Sequence, residues 1–243
     1  MKNSKLHDLL TTLRLHGIKS AVDSELARAE KEGSPTAEVL LRLLSQEYAY
    51  RQQRSFNYRL GQAKIPWDWT LTTFPFDRQP GINKAQVMSL AQLDFVQRAE
   101  NIVLIGNTGT GKSGIAVGIL RQALIEGYRG RFYAAQDLLD ELYTSLADRN
   151  TSKLIKKLSR YDLLVIDELG YLTLNKEQVN AFFKLMSERY GRKATIITTN
   201  LPYEAWYELF NRKDLVDALL DRLRHRCITI NIDGPSLRAL AQT

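Results

Sequence analysis

Gly106-Asn107-Thr108-Gly109-Thr110-Gly111-Lys112-Ser113 fits G-x-x-x-x-G-K-[ST] at every position, and it limits the fold more than any other stretch of the chain. Its glycines let the backbone curl so that successive N–H groups point inward. Such a cradle holds an anion where a strand delivers the chain and a helix carries it away. The flanks meet that demand: residues 101–105 are an apolar run and residues 112–126 are rich in helix formers. In a loop of this kind Lys112 reaches the β- and γ-phosphates of a nucleotide, and Ser113 offers a hydroxyl to Mg²⁺.

The same alternation continues downstream. Apolar runs at 131–135, 162–167, 194–199 and 227–232 predict strands. Helical stretches at 137–147, 151–159, 176–190 and within 203–223 separate them. Apolar strands alternating with helices predict an α/β fold, a parallel five-stranded sheet covered on both faces. Right-handed crossovers then gather the carboxyl ends of all strands along one edge, where ligands bind. Upstream, residues 1–64 read as a small N-terminal helical domain of two or three helices. Leu6, Leu9, Leu10 and Leu13, then Leu40, Leu43 and Leu44, recur at helical spacing, and Ser34-Pro35 is a helix start. The ATPase domain is expected over 65–243. It opens with a connector, 65–100, in which an irregular aromatic and proline-containing stretch leads into one helix over 84–99.

Two carboxylates end the strand at 162–167. Asp167 suits the Mg²⁺ shell, and Glu168, pointing elsewhere, suits orienting and deprotonating a water. An adjacent base for water favours hydrolysis of ATP over transfer to a small acceptor. Asn200 ends the strand at 194–199; it can cap the segment beginning Leu201-Pro202 or sense the γ-phosphate. Arg222, Arg224 and Arg226 crowd together before the last strand. They read either as a solvated basic face or as an arginine offered to the γ-phosphate of a neighbouring subunit, and spacing does not choose among them.

Composition narrows the setting. The chain of 243 residues has 34 Lys and Arg against 27 Asp and Glu, a net charge of +7, which favours a polyanionic partner. No apolar stretch is long enough to span a membrane. The polar N-terminus lacks a signal-peptide core. One cysteine and three histidines make neither an internal disulfide nor a zinc site. A cytoplasmic protein is expected.

The motifs GNTGTGKS, LLVIDELGYL, TIITTNLP, LLDRL and GPSLR, in that order and spacing, resemble the IstB-type transposition helper ATPases. These are relatives of the DnaC helicase loaders in the AAA+ initiator clade, and the resemblance covers about residues 36–240. It implies an AAA+ P-loop NTPase core and an ATP- and Mg²⁺-dependent self-oligomer with ATP at subunit interfaces. Such an assembly wraps duplex DNA and delivers a target to an IstA-type transposase. By resemblance, the 106–113 loop binds nucleotide, Asp167 and Glu168 form the second ATPase motif, Asn200 is the polar sensor and Arg222 the finger. Arg238 matches the arginine of the family's S-Y-R and contacts phosphate; Leu237 stands where the family has Tyr. Trp67 and Trp69 depart from typical members.

Arg149, Lys153, Lys156, Lys157 and Arg160 fall in one segment without an acid, and Lys153, Lys156 and Lys157 share a helical face. The segment reads as a solvated surface helix or, by analogy with initiator-clade relatives, as a lining of a DNA channel. Three alternatives share the loop: a helicase loader, a small-molecule kinase, and a nucleotide-gated DNA scaffold that does not hydrolyse ATP. Aromatic and basic residues between Tyr48 and Arg59 suit either nucleic-acid stacking or helix packing.

Overall fold

Every apolar run that alternates with helical sequence becomes a strand of one sheet. The computed structural model describes residues 2–170 and 172–238. The strands are β1 (Asn101–Gly106), β2 (Gly130–Ala134), β3 (Leu163–Asp167), β4 (Ala194–Thr199) and β5 (Cys227–Ile232). All neighbours pair in parallel, in the order β2-β3-β4-β1-β5. Two helices begin the first of two compact units, which divide between Tyr58 and Arg59: α1 (Lys2–Thr12) and α2 (His16–Glu32). They are followed by α3 (Thr36–Ala63), whose residues 59–63 belong to the second unit. The remaining helices are α4 (Lys84–Leu90), α5 (Asp94–Gln97), α6 (Lys112–Ile125), α7 (Ala135–Ala147), α8 (Thr151–Leu158), α9 (Lys176–Arg189), α10 (Trp206–Phe210) and α11 (Lys213–His225).

The first unit is held by a small core of Leu10, Ile18, Val22, Val39 and Leu43. Its most specific polar feature is Glu47, buried on α3. One carboxylate oxygen accepts from the Gly17 and Ile18 amides, at 2.7 and 3.2 Å, near the start of α2, where helix N–H groups lack intrahelical partners. The other oxygen pairs with Arg51 at 2.7 Å. Burial raises the Glu47 carboxyl, but Arg51 and the two amides outweigh it, so its pKa lies below the ordinary value.

In the second unit, alternate side chains of each strand enter opposite cores. Ile102, Leu104, Leu163, Val165 and Ile196 meet Ile115, Ile119 and Leu120 of α6 on one face. Val103, Leu164, Ile166 and Ile197 meet residues of α7, α9, α10 and α11 on the other. This double burial explains why the strands read as continuous apolar runs rather than alternating ones.

One expected element is different. Residues 84–99 do not form a single helix: α4 ends at Leu90, Leu93 takes a left-handed conformation with φ 67°, and α5 follows. At 100° per residue a straight helix would turn Phe95 away from Leu90 and Leu93. The break lets Val87, Leu90, Leu93, Phe95 and Val96 all enter one core.

Candidate functional site

The loop between β1 and α6 curls as its glycines permit. Gly109 and Gly111 have φ of 84° and 97°, a region closed to most side chains. Thr110 Oγ1 donates to the Asn107 carbonyl at 2.8 Å. Lys112 Nζ donates to the Gly106 and Asn107 carbonyls, each at 2.7 Å. Burial lowers the Lys112 pKa; Asp167 and Glu168 oppose that shift, and Arg238 adds to it.

The sheet order brings the second motif to the loop. β4 lies between β1 and β3, so the ends of all three converge. Asp167 is 3% exposed, and its Oδ1 accepts from Thr198 Oγ1 at 2.6 Å. Burial raises the Asp167 pKa; hydrogen bonds from Thr198 and Ser113 pull against it, Glu168 adds to it, and Lys112 opposes it. Glu168 takes a left-handed φ of 60° and its amide donates to the same Thr198 hydroxyl at 2.9 Å. One buried threonine thus fixes both carboxylate positions. Thr199 Oγ1 donates to the Leu169 carbonyl and accepts from the Leu201 amide, which locks the end of β4 beside Asn200.

A cavity of about 390 Å³ unites these groups: Thr108, Gly109, Gly111, Lys112 and Ser113, with Glu168, Asn200 and Arg238. Arg238 arrives on a strap of chain after β5. The Leu237 amide donates to the Gly109 carbonyl at 2.9 Å. Fully buried Gln79 donates from Nε2 to both the Pro235 and Thr110 carbonyls, at 2.8 and 3.1 Å. The other wall is aromatic: Trp67, Trp69 and Phe74.

Other predicted residues lie elsewhere. Arg222 is half-buried on α11, where it donates to Ser187 Oγ and sits 5.9 Å from the Tyr190 ring centroid; it does not line the cavity. Arg226 donates to the Arg98 carbonyl at 3.4 Å. The Arg224 side chain lies outside the described residues. Lys153, Lys156 and Lys157 are exposed on α8 while Ile155 and Leu158 are buried, with Arg149 and Arg160 exposed at its two ends. Sequence reading does not single out Thr198, Gln79 or the tryptophans as site residues. The signal for the tryptophans is Gly114, one residue past the loop motif, where an added Cβ would meet Trp69 at 3.0 Å.

The donor set fits Mg²⁺. Among the described residues no cluster of three or more His, Cys, Asp or Glu exists, so the protein's oxygen ligands are Ser113 and Asp167. A small hard cation that keeps waters and phosphate oxygens needs no more. Among those residues, too, no helix is long and apolar enough to cross a membrane.

A family model described as IstB-like ATP binding protein matches residues 8–243. The ATP-binding protein of insertion sequence IS21 from Pseudomonas aeruginosa is 37% identical over 234 residues, 96% of this chain and 88% of that protein. Its counterpart in insertion sequence IS5376 of Geobacillus stearothermophilus is 30% identical over 234 residues, 96% and 93% of the two chains. The crystal structure of the DnaC helicase loader superposes with a TM-score of 0.59 at 24% identity, covering 70% of this chain and 99% of that one. The replication initiator DnaA bound to AMPPCP and single-stranded DNA superposes with a TM-score of 0.60 at 18% identity, covering 71% and 52%. The fold is thus that of the AAA+ P-loop proteins.

Proposed function

The chain belongs to the family of IstB-like ATP binding proteins, and from that premise we propose that it is an ATP-hydrolysing, DNA-binding helper of transposition. In this reading it assembles on duplex DNA when ATP is bound and delivers the target to the transposase of its insertion sequence.

The observation that carries the reading is the shared cavity, in which the 106–113 loop, Glu168, Asn200 and Arg238 face one another. The loop amides and Lys112 hold the β- and γ-phosphates. Ser113 and Asp167 hold Mg²⁺, which neutralises phosphate charge when bound. Glu168, exposed at the cavity, orients a water and takes its proton; Asn200 places that water against the γ-phosphate. Arg238 contacts phosphate from the strap. Arg222, remote from its own chain's cavity, serves the pocket of a neighbouring copy. The exposed lysines of α8, with Arg149 and Arg160, contact DNA phosphates and give affinity without sequence choice. The insertion-sequence relatives favour a transposase as client over a replicative helicase.

The test is Glu168→Gln. This variant should bind ATP with unchanged affinity, turn over at least about a hundredfold more slowly, and remain on duplex DNA after ATP is added. Wild-type turnover in Glu168→Gln removes the residue from this role. Co-purification with the transposase of the same element, in ATP and duplex DNA, tests the client.

A further inference from the structure

The triphosphate reading fills only part of the cavity. The catalytic residues Glu168 and Asn200 mark the γ-phosphate side, so sugar and base leave along the remaining wall. That wall is built by residues 67–75: Trp67, Trp69, Thr70, Thr73, Phe74 and Pro75. Trp67 and Trp69 are stacked, with centroids 5.0 Å apart and planes 22° from parallel. They stay 43% and 46% exposed, so aromatic surface is left bare beside the loop. The approach is built in by missing side chains. An added Cβ at Gly111 would meet the Phe74 ring at 2.6 Å, and one at Gly114 would meet Trp69 at 3.0 Å.

The polar groups on this wall are poor readers of a base edge. Thr70 and Thr73 satisfy one another: their hydroxyls lie 2.9 Å apart, and each amide donates to the other's hydroxyl. The indole N–H groups only donate, and adenine and guanine both offer N3 and N7 acceptors to such a donor. Telling the two apart at positions 1, 2 and 6 takes donors and acceptors of fixed polarity. Sites that lack these discriminate weakly, because every base presents a π-face.

We infer that the base is held by stacking against Trp67, Trp69 and Phe74 with little choice between purines. The ligand class is then purine nucleoside triphosphates rather than ATP alone. This rests on residues 106–113 being the triphosphate site.

The experiment is an equilibrium titration of the full chain with Mg²⁺ and ATP, GTP or inorganic tripolyphosphate, followed by tryptophan fluorescence and by calorimetry. The third tryptophan, Trp206, is fully buried in the other core and serves as an internal reference. ATP and GTP should bind with Kd values within about fivefold, both quenching the exposed pair, and tripolyphosphate about tenfold or more weaker. Trp69→Leu should weaken ATP and GTP by the same factor, about tenfold, and tripolyphosphate by much less. GTP binding fiftyfold or more weaker than ATP overturns the inference and leaves the triphosphate site intact. Tripolyphosphate binding as tightly as ATP shows that the base makes no contact and also overturns it. Failure of all three to bind removes the triphosphate site itself.

Discussion

Thr198 shows how much of this site depends on a residue without reaction chemistry of its own. Its hydroxyl donates to Asp167 and accepts from the Glu168 amide, holding one carboxylate inward and turning the next chain unit to left-handed φ. Thr198→Val keeps the shape but strands a buried carboxylate oxygen and an amide, at a cost of about 1–3 kcal/mol. We expect nucleotide affinity to stay within a few-fold and turnover to fall about tenfold, because a misplaced group costs rate more than binding. Comparing Kd by titration with steady-state phosphate release checks this; unchanged turnover would free the two carboxylates from Thr198. The carboxylates themselves were legible in the sequence because an apolar run ending in Asp-Glu after a phosphate loop is a local pattern. Thr198 was not, because its role comes from β4 being inserted between β1 and β3, a pairing across 30 residues that no local pattern records.

Helices carry two further expectations. In the first unit, Glu47 joins α3 to the first turn of α2. Its pKa is held below the ordinary 4.5, so its contribution is full above that value and disappears as pH falls through the lower folded-state pKa. Glu47→Gln should therefore raise amide hydrogen exchange at Gly17 and Ile18 near neutrality. The gap to wild type should close in acid; a gap independent of pH would detach the effect from ionisation. On α8, replacing Lys153, Lys156 and Lys157 with Ala should flatten the slope of log K against log[salt] for duplex DNA, roughly one phosphate contact per lysine. An unchanged slope means these lysines face only solvent. Elements whose burial is local, such as β1, β4 and α8, could be read from the sequence almost to the residue. The break between α4 and α5 could not, because it answers to a core completed by α6. The wall of Trp67 and Trp69 was hidden for the same reason: it is completed by Gly111 and Gly114, more than 40 residues on.

At the scale of the whole molecule, the placement of Arg222 away from its own cavity makes a claim about assembly. Arg222→Ala should bind ATP and lose about a thousandfold in turnover, if a finger acts between copies. Lys112→Ala should not bind nucleotide, yet it still presents an intact Arg222. Mixing the two inactive variants should therefore restore phosphate release, and a mixture no better than its parts would rule out sharing across an interface. The strap after β5 has a consequence of another kind. Gln79 fastens Pro235, and Gly109 receives Leu237, so a premature stop after Gly234 would spare every strand and the complete loop motif. It would nevertheless strip away the hydrogen-bonded seam that seats Arg238. An insertion sequence carrying such a nonsense mutation would keep a gene that scores as intact by its motifs while encoding a protein unable to close over its fuel.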